Sequence, residues 1–278
     1  MIFLVDNGSI RANAYLSLCK MAEDLSCVIG KKVIPAPLLH ADKIPVKELS
    51  CGPVQLLETR IESAFKEGET IFDILPLFFG LSGALTEYLP RRLKILGSRC
   101  SGLQVRILNP LFVSPENGGE LLADILEDRI LEQVCKRKLE TEAFDVTLVD
   151  HGSPKIEVTE VRNSLTKLLA ERFQSSSVDA CSMERRKGKE YDFNEPLLDA
   201  CLEQASTGTG KVVLAQLFLS PGRHAGPGGD IDTICRNVEN RHPGFNVFRT
   251  ELIGNHSRLI DLLSLRWQER ETIKPISF

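Results

Sequence analysis

A short apolar run closed by a turn of the type D-x-G-S occurs twice, at Ile2-Phe3-Leu4-Val5-Asp6-Asn7-Gly8-Ser9 and at Val146-Thr147-Leu148-Val149-Asp150-His151-Gly152-Ser153. A sequence that repeats itself at long period folds into repeated structural units, so this pair restricts the possible folds strongly. The following segments correspond as well. Residues 12–29 set Ala14, Leu18, Met21, Leu25 and Val28 at helical spacing, and residues 156–173 do the same with Ile156, Val161, Leu165, Leu168, Leu169 and Phe173. The runs 74–79 and 212–219 read as buried strands, and 104–108 matches 246–250. Uninterrupted apolar strands are covered on both faces, as in parallel sheets, and their alternation with helices makes βαβ units. The expected fold is α/β. Two similar domains, each a mainly parallel sheet flanked by helices, face each other across a cleft. Residues 119–139 read as a helix closing the first half, which puts the domains at 1–140 and 141–278. A length of 278 residues suits two such domains better than one.

Composition narrows the function by exclusion. Apolar residues make up 42% of the chain and charged residues 26%, ordinary values for a globular protein. A formal net charge of −4 does not fit a general nucleic-acid binder, which must neutralise phosphates. The opening apolar run breaks at Asp6, too soon for a secretory signal, and no run is long enough to span a bilayer. The expectation is a cytoplasmic protein without a membrane partner, as monomer or homodimer. The eight cysteines, at 19, 27, 51, 100, 135, 181, 201 and 235, include no C-x-x-C pair. That excludes zinc ribbons and common iron–sulfur signatures, and reduced thiols are expected.

Candidate chemistry gathers in the second half. His151 lies just past the strand at 146–150, and His224 lies in the Gly- and Pro-rich loop 220–230 after the run 212–219. Both would project from the carboxyl edge of one sheet, where open α/β sheets hold ligands. Two such imidazoles make a divalent-metal site or a proton-transfer pair; loop histidines bonded to backbone satisfy the same spacing. Glu184 follows the short run 178–183 and would reach the same edge, as ligand, proton acceptor or plain surface carboxylate. Arg185, Arg186, Lys187 and Lys189, with Arg223, form either a basic rim for a polycarboxylate or a solvated charged loop. The glycines at 222, 226, 228 and 229 do not spell a nucleotide P-loop, and Ser153 lacks a nucleophile-elbow context.

Three segments in order carry a family resemblance. Val149-Asp150-His151-Gly152-Ser153 resembles the opening strand and turn of the sirohydrochlorin cobalto/ferrochelatases of the CbiX/SirB type, in the class II chelatase superfamily. Gln216-Leu217-Phe218-Leu219-Ser220-Pro221-Gly222-Arg223-His224, followed by Asp230-Ile231, resembles their second signature. Phe245-Asn246-Val247, Leu252-Ile253-Gly254 with His256, and Leu259-Ile260-Asp261-Leu262-Leu263 resemble their closing strand and helix. The resemblance covers the second half closely and the first more loosely. It implies ATP-independent insertion of a divalent metal into sirohydrochlorin or a related tetrapyrrole, in cobalamin or sirohaem biosynthesis, with no nucleotide. The metal is a substrate: Co²⁺ or Fe²⁺, with Ni²⁺ a further candidate. His151, His224 and Glu184 would bind it and take up pyrrole protons. Ser153, Arg185, Arg223, His40 and Asn7 would contact the tetrapyrrole.

One departure is visible in the sequence. Two-repeat members usually carry the histidine pair in the N-terminal repeat, whereas here Asn7 stands opposite His151 and Ala84 opposite His224. Counting onward from the turns puts His40 opposite Glu184. The expected protein therefore keeps one intact site, in its second half. Two alternatives stay open: a non-catalytic metal or tetrapyrrole carrier, and a phosphoryl-transfer enzyme with His151 as nucleophile. The second alternative lacks the arginine that phosphate would require before His151.

Overall fold

The computed structural model describes residues 1–49 and 52–278. The expected reduced thiol at Cys51 lies outside the described residues; among the described residues no cysteine is in a disulfide. In chain order the first elements are β1 (Ile2–Val5), α1 (Ala12–Ile29), β2 (Val33–Pro35), α2 (Leu57–Lys66), β3 (Ile71–Pro76), α3 (Leu89–Gly97) and β4 (Gln104–Ile107). There follow α4 (Gly119–Arg137), β5 (Asp145–Asp150), α5 (Ile156–Arg172), β6 (Val178–Ser182), α6 (Leu198–Ala205), β7 (Lys211–Gln216), α7 (Asp230–Arg241), β8 (Asn246–Arg249), α8 (Ser257–Gln268) and β9 (Ile276–Ser277).

The helices form where the apolar spacing demands them. In α1 the buried stripe is Leu18, Met21, Ala22 and Leu25, and Gly30 stops the helix in the left-handed conformation at φ 65°. In α5 the stripe is Val161, Leu165 and Leu169, joined by a buried arginine, Arg162. β1 is buried along its whole length and β5 along all but its first residue, as strands covered on both faces must be.

Two sheets result, with strand orders β2-β1-β3-β4-β9 and β6-β5-β7-β8. All neighbours are parallel except β9, which runs antiparallel along β4. The repeat holds rung by rung. Phe3 pairs Ile34 as Thr147 pairs Asp179, Leu4 pairs Leu75 as Leu148 pairs Ala215, and Ile74 pairs Ile107 as Leu214 pairs Arg249. β3 and β7 stop at Pro76 and Gln216, short of the expected ends, although Leu77 and Leu217 each still donate one bond back, to Val5 and Val149.

The chain divides into two compact units, Met1–Val113 with Ser257–Phe278, and Ser114–His256. A boundary at 140 would leave α4 with the first half, yet α4 packs on α5 and β7, while α8 packs on α1 and β3. An amphipathic stripe states that a helix must bury one face, not which sheet receives it. An arginine fastens each helix in place. Arg129 of α4 donates Nε–H to the Leu252 carbonyl (3.2 Å) and Nη2–H to Asn255 Oδ1 (2.6 Å). Arg266 of α8 donates to the carbonyls of Pro110 (2.6 Å) and Leu111 (2.8 Å). Pro110 and Leu252 occupy equivalent places after β4 and β8. No helix among the described residues is long and apolar enough to cross a membrane.

Candidate functional site

In the second unit the chain leaves β5 for β6 on one side and returns for β7 on the other. The loops after β5 and β7 therefore diverge at the carboxyl edge, at a topological switch point. His151 is the first residue past β5, and His224 stands in the loop between β7 and α7. Their imidazoles meet edge to face, with centroids 4.6 Å apart and planes at 86°. Glu184, two residues past β6, places Oε1 3.7 Å from His151 Nε2. The loop residues come together as the sequence led one to expect. Among the described residues no group of three or more His, Cys, Asp or Glu side chains is gathered closely enough to hold a metal ion, and His151, His224 and Glu184 are no exception.

Hydrogen bonding sets the tautomer of both rings. His151 Nδ1 faces the Gly152 carbonyl at 3.2 Å, and a carbonyl only accepts. His224 Nδ1 lies 2.6 Å from Asp230 Oδ2, a carboxylate at the start of α7. Each neutral ring thus carries its proton on Nδ1 and leaves the Nε2 lone pair free. A carboxylate on the far nitrogen also fixes a ring's orientation and raises its basicity as a ligand. His151 and Glu184 are about half exposed, while His224 is 26% exposed, so all three can be reached from solvent.

The remaining expected contacts divide. Ser153 is engaged locally: its N–H donates to Asn194 Oδ1 (2.9 Å) and its Oγ accepts from Lys155 N–H (3.0 Å). Arg185 is drawn into its own loop by Glu195 (2.6 Å) and Asp192 (3.2 Å), and donates to the Gly188 carbonyl (3.0 Å). Arg223 is the freer cation, 77% exposed and 3.7 Å from Asp230. The glycine loop folds back on itself: Ile231 N–H donates to the His224 carbonyl (3.2 Å), and Gly228 N–H to the buried Asp232 (3.1 Å).

The first unit has the same turn without these groups. Asn7 and His40 are exposed at the carboxyl edge of its sheet, and Ala84 opens a π-helix, Ala84–Tyr88. The pairing of His40 with Glu184 needs correction. Leu38 and Leu39 donate to the carbonyls of Asp6 and Asn7 as Met183 and Glu184 donate to those of Asp150 and His151. Leu39 therefore stands at the place of Glu184, and His40 lies one residue beyond, at φ 65°. The second repeat has one more residue between its D-x-G-S turn and its second strand, which shifts a straight count by one.

Two features escaped the sequence reading. Asp230 entered only as half of a D-I pair, although its spacing from His224, across one loop, was the available signal. The other is a buried polar network beneath the turn. Asp150 Oδ1 accepts from Ser182 Oγ (2.6 Å) and Gly152 N–H (3.1 Å), with Arg162 Nη1 3.7 Å away. Burial pushes the Asp150 carboxyl up, and the Ser182 bond and Arg162 oppose that rise. Asp6, its counterpart, has a sealed Oδ1 with no partner, and burial pushes it up to about 6.

Comparison with known proteins bears out the resemblance read from the motifs. The CbiX family model matches residues 145–270, the stretch that carries all three site residues. Comparison with curated protein sequences finds no match. Among solved structures, SirB from Bacillus subtilis with Fe³⁺ is similar at TM-score 0.71 and 17% identity, over 97% of this chain and 94% of that one. The sirohydrochlorin chelatase SirB from Bacillus subtilis subspecies spizizenii, in complex with cobalt, is similar at TM-score 0.69 and 16% identity, over 98% and 95%. CbiX, described as the terminal enzyme for biosynthesis of sirohaem in denitrifying bacteria, gives TM-score 0.54 and 13% identity, over 96% of both chains. At these identities the likeness to the solved structures is one of fold.

Proposed function

We propose that this protein inserts a divalent metal, Co²⁺ or Fe²⁺, into sirohydrochlorin or a closely related tetrapyrrole, using His151, His224 and Glu184. The observation that carries the reading is the pair of imidazoles 4.6 Å apart, each with its Nδ1 proton bonded away and its Nε2 lone pair free. A tetrapyrrole gives up two N–H protons as a divalent ion enters, so the reaction needs both metal donors and proton acceptors facing the ring. Neutral imidazoles can serve in either role. Glu184, exposed beside His151, is placed to receive a proton and release it to water. Arg223, mostly exposed and only loosely paired with Asp230, can meet a substrate carboxylate.

A spectroscopic insertion assay on sirohydrochlorin with Co²⁺, Fe²⁺ and Ni²⁺ tests the reading. Turnover well beyond one equivalent is expected with Co²⁺ or Fe²⁺, and His224→Ala should lose it while remaining folded. Binding of metal or tetrapyrrole without turnover would make the protein a carrier. Unchanged turnover in both His151→Ala and His224→Ala would remove the site from the reaction.

A further inference from the structure

We infer that Arg162 and Asn194 are positioning residues for His151, holding the Asp150-His151-Gly152-Ser153 turn so that its imidazole meets His224. The inference rests on the metal-insertion reading and adds residues that the motifs do not contain.

Asn194 is fully buried and spends its whole amide on this region. Its Oδ1 accepts from Ser153 N–H (2.9 Å) and Thr159 Oγ (3.3 Å); its Nδ2 donates to the carbonyls of Ser153 (3.0 Å) and Tyr191 (3.0 Å). Both backbone polar groups of Ser153 are therefore clamped by one side chain. Arg162, 2% exposed on α5, donates Nη1–H to Ser182 Oγ (2.6 Å) and to the Asn194 carbonyl (3.2 Å). Ser182 Oγ–H in turn donates a hydrogen bond to Asp150 Oδ1, which also accepts from Gly152 N–H. His151 thus sits between residues that are each fixed by side chains of this network.

The first repeat shows that the fold does not require the network. It builds the same parallel β-α-β arrangement with Leu18 at the place of Arg162 and Pro37 at the place of Ser182. Burying an arginine and an amide is costly unless every polar group is paired, so a fold that can do without them gains little by keeping them. The repeat with His151 has the network, and the repeat with Asn7 lacks it. Orientation of a metal-binding histidine is the task that separates the two repeats.

The test uses the full chain with Asn194→Ala and, separately, Arg162→Lys, which keeps the charge but loses the fork. In the metal-free protein, imidazole ¹⁵N spectra should show His151 as a single Nδ1–H tautomer, and the variants should mix tautomers at His151 while His224 keeps its own. Titration with Co²⁺ alone should show affinity about 10- to 100-fold weaker. For sirohydrochlorin insertion, kcat should fall while KM for the tetrapyrrole stays near the wild-type value. If Asn194→Ala does not fold, Arg162→Lys decides. Folded variants with the wild-type His151 tautomer and wild-type Co²⁺ affinity would overturn the inference. Absence of insertion by the wild-type protein would overturn the chelatase reading instead, and the metal-free His151 spectrum would still decide the positioning role.

Discussion

A Cβ atom on Gly152 would stand 1.9 Å from the Glu184 carbonyl oxygen, so the turn after β5 presses directly on the chain leaving β6. The residue also has φ +89°, a conformation that side chains rarely adopt. This contact holds His151 and Glu184 together, and Glu184 N–H returns a bond to the His151 carbonyl at 3.2 Å. Gly8 makes the same approach to the Leu39 carbonyl, at 1.8 Å and φ +84°.

The two glycines separate stability from function. Gly152→Ala and Gly8→Ala should each destabilise the chain by more than the about 1–3 kcal/mol usual for a strained backbone position, because the added Cβ also meets a backbone carbonyl. Only Gly152→Ala should also weaken Co²⁺ binding, because only that turn carries a histidine. Urea denaturation and Co²⁺ titration of both variants check this. An equal loss of Co²⁺ affinity in Gly8→Ala would show a global effect.

The second prediction concerns Asp230. With the carboxylate gone, His224 keeps no charged acceptor for Nδ1–H, and its ring is free to turn and to change tautomer. Asp230→Asn should weaken Co²⁺ binding about 10- to 100-fold and slow insertion by a comparable factor. Asp230 is 45% exposed, so the melting temperature should hardly move. A large fall in melting temperature with unchanged Co²⁺ affinity would make Asp230 a first-turn charge of α7 and nothing more.

Much of this was legible in the sequence, and the misses have physical causes. The strands and first helices of each repeat followed from apolar spacing, because βαβ units bury whole strands and one stripe of each helix. His151, Glu184 and His224 could be placed because the residues just past parallel strands emerge at one edge. His40 was set against Glu184 by counting, and one extra residue between the turn after β5 and β6 undid the count. The placement of α4 and α8 was hidden, since their stripes do not name a partner. Arg162 was hidden too: a charged residue in a helix reads as solvent-facing, and only its partners, Asn163 Oδ1, Ser182 and the Asn194 carbonyl, explain its burial.

Asp6 carries a pH prediction for stability. Its carboxyl sits near 3.8 ordinarily and about 6 in the folded chain, so between those values the folded state binds more protons than the unfolded one. Stability contributed here is therefore complete below about pH 4 and lost as pH rises through 6, leaving a penalty of up to about 3 kcal/mol at pH 7. Asp6→Asn should be more stable than wild type at pH 7, with the gap closing toward pH 4. Denaturant unfolding across that range checks it. A gap that does not change with pH would mean that Asp6 titrates alike in both states.

The membership of α8 yields the last prediction. Arg266 is fully buried and pairs with the carbonyls of Pro110 and Leu111, both in the first unit, while β9 adds an edge strand to β4. A chain ending at His256 loses that arginine, the helix that covers α1 and β3, and the strand on β4. Arg266→Leu is the milder change and orphans the two carbonyls, at roughly 1–3 kcal/mol each. Hydrogen exchange should then show lost protection in β1 and β3, more so for the truncation, with β5 and β7 keeping theirs because α4 still covers the second unit. If the C-terminal residues belonged with the sheet nearest in sequence, β5 and β7 would lose protection first.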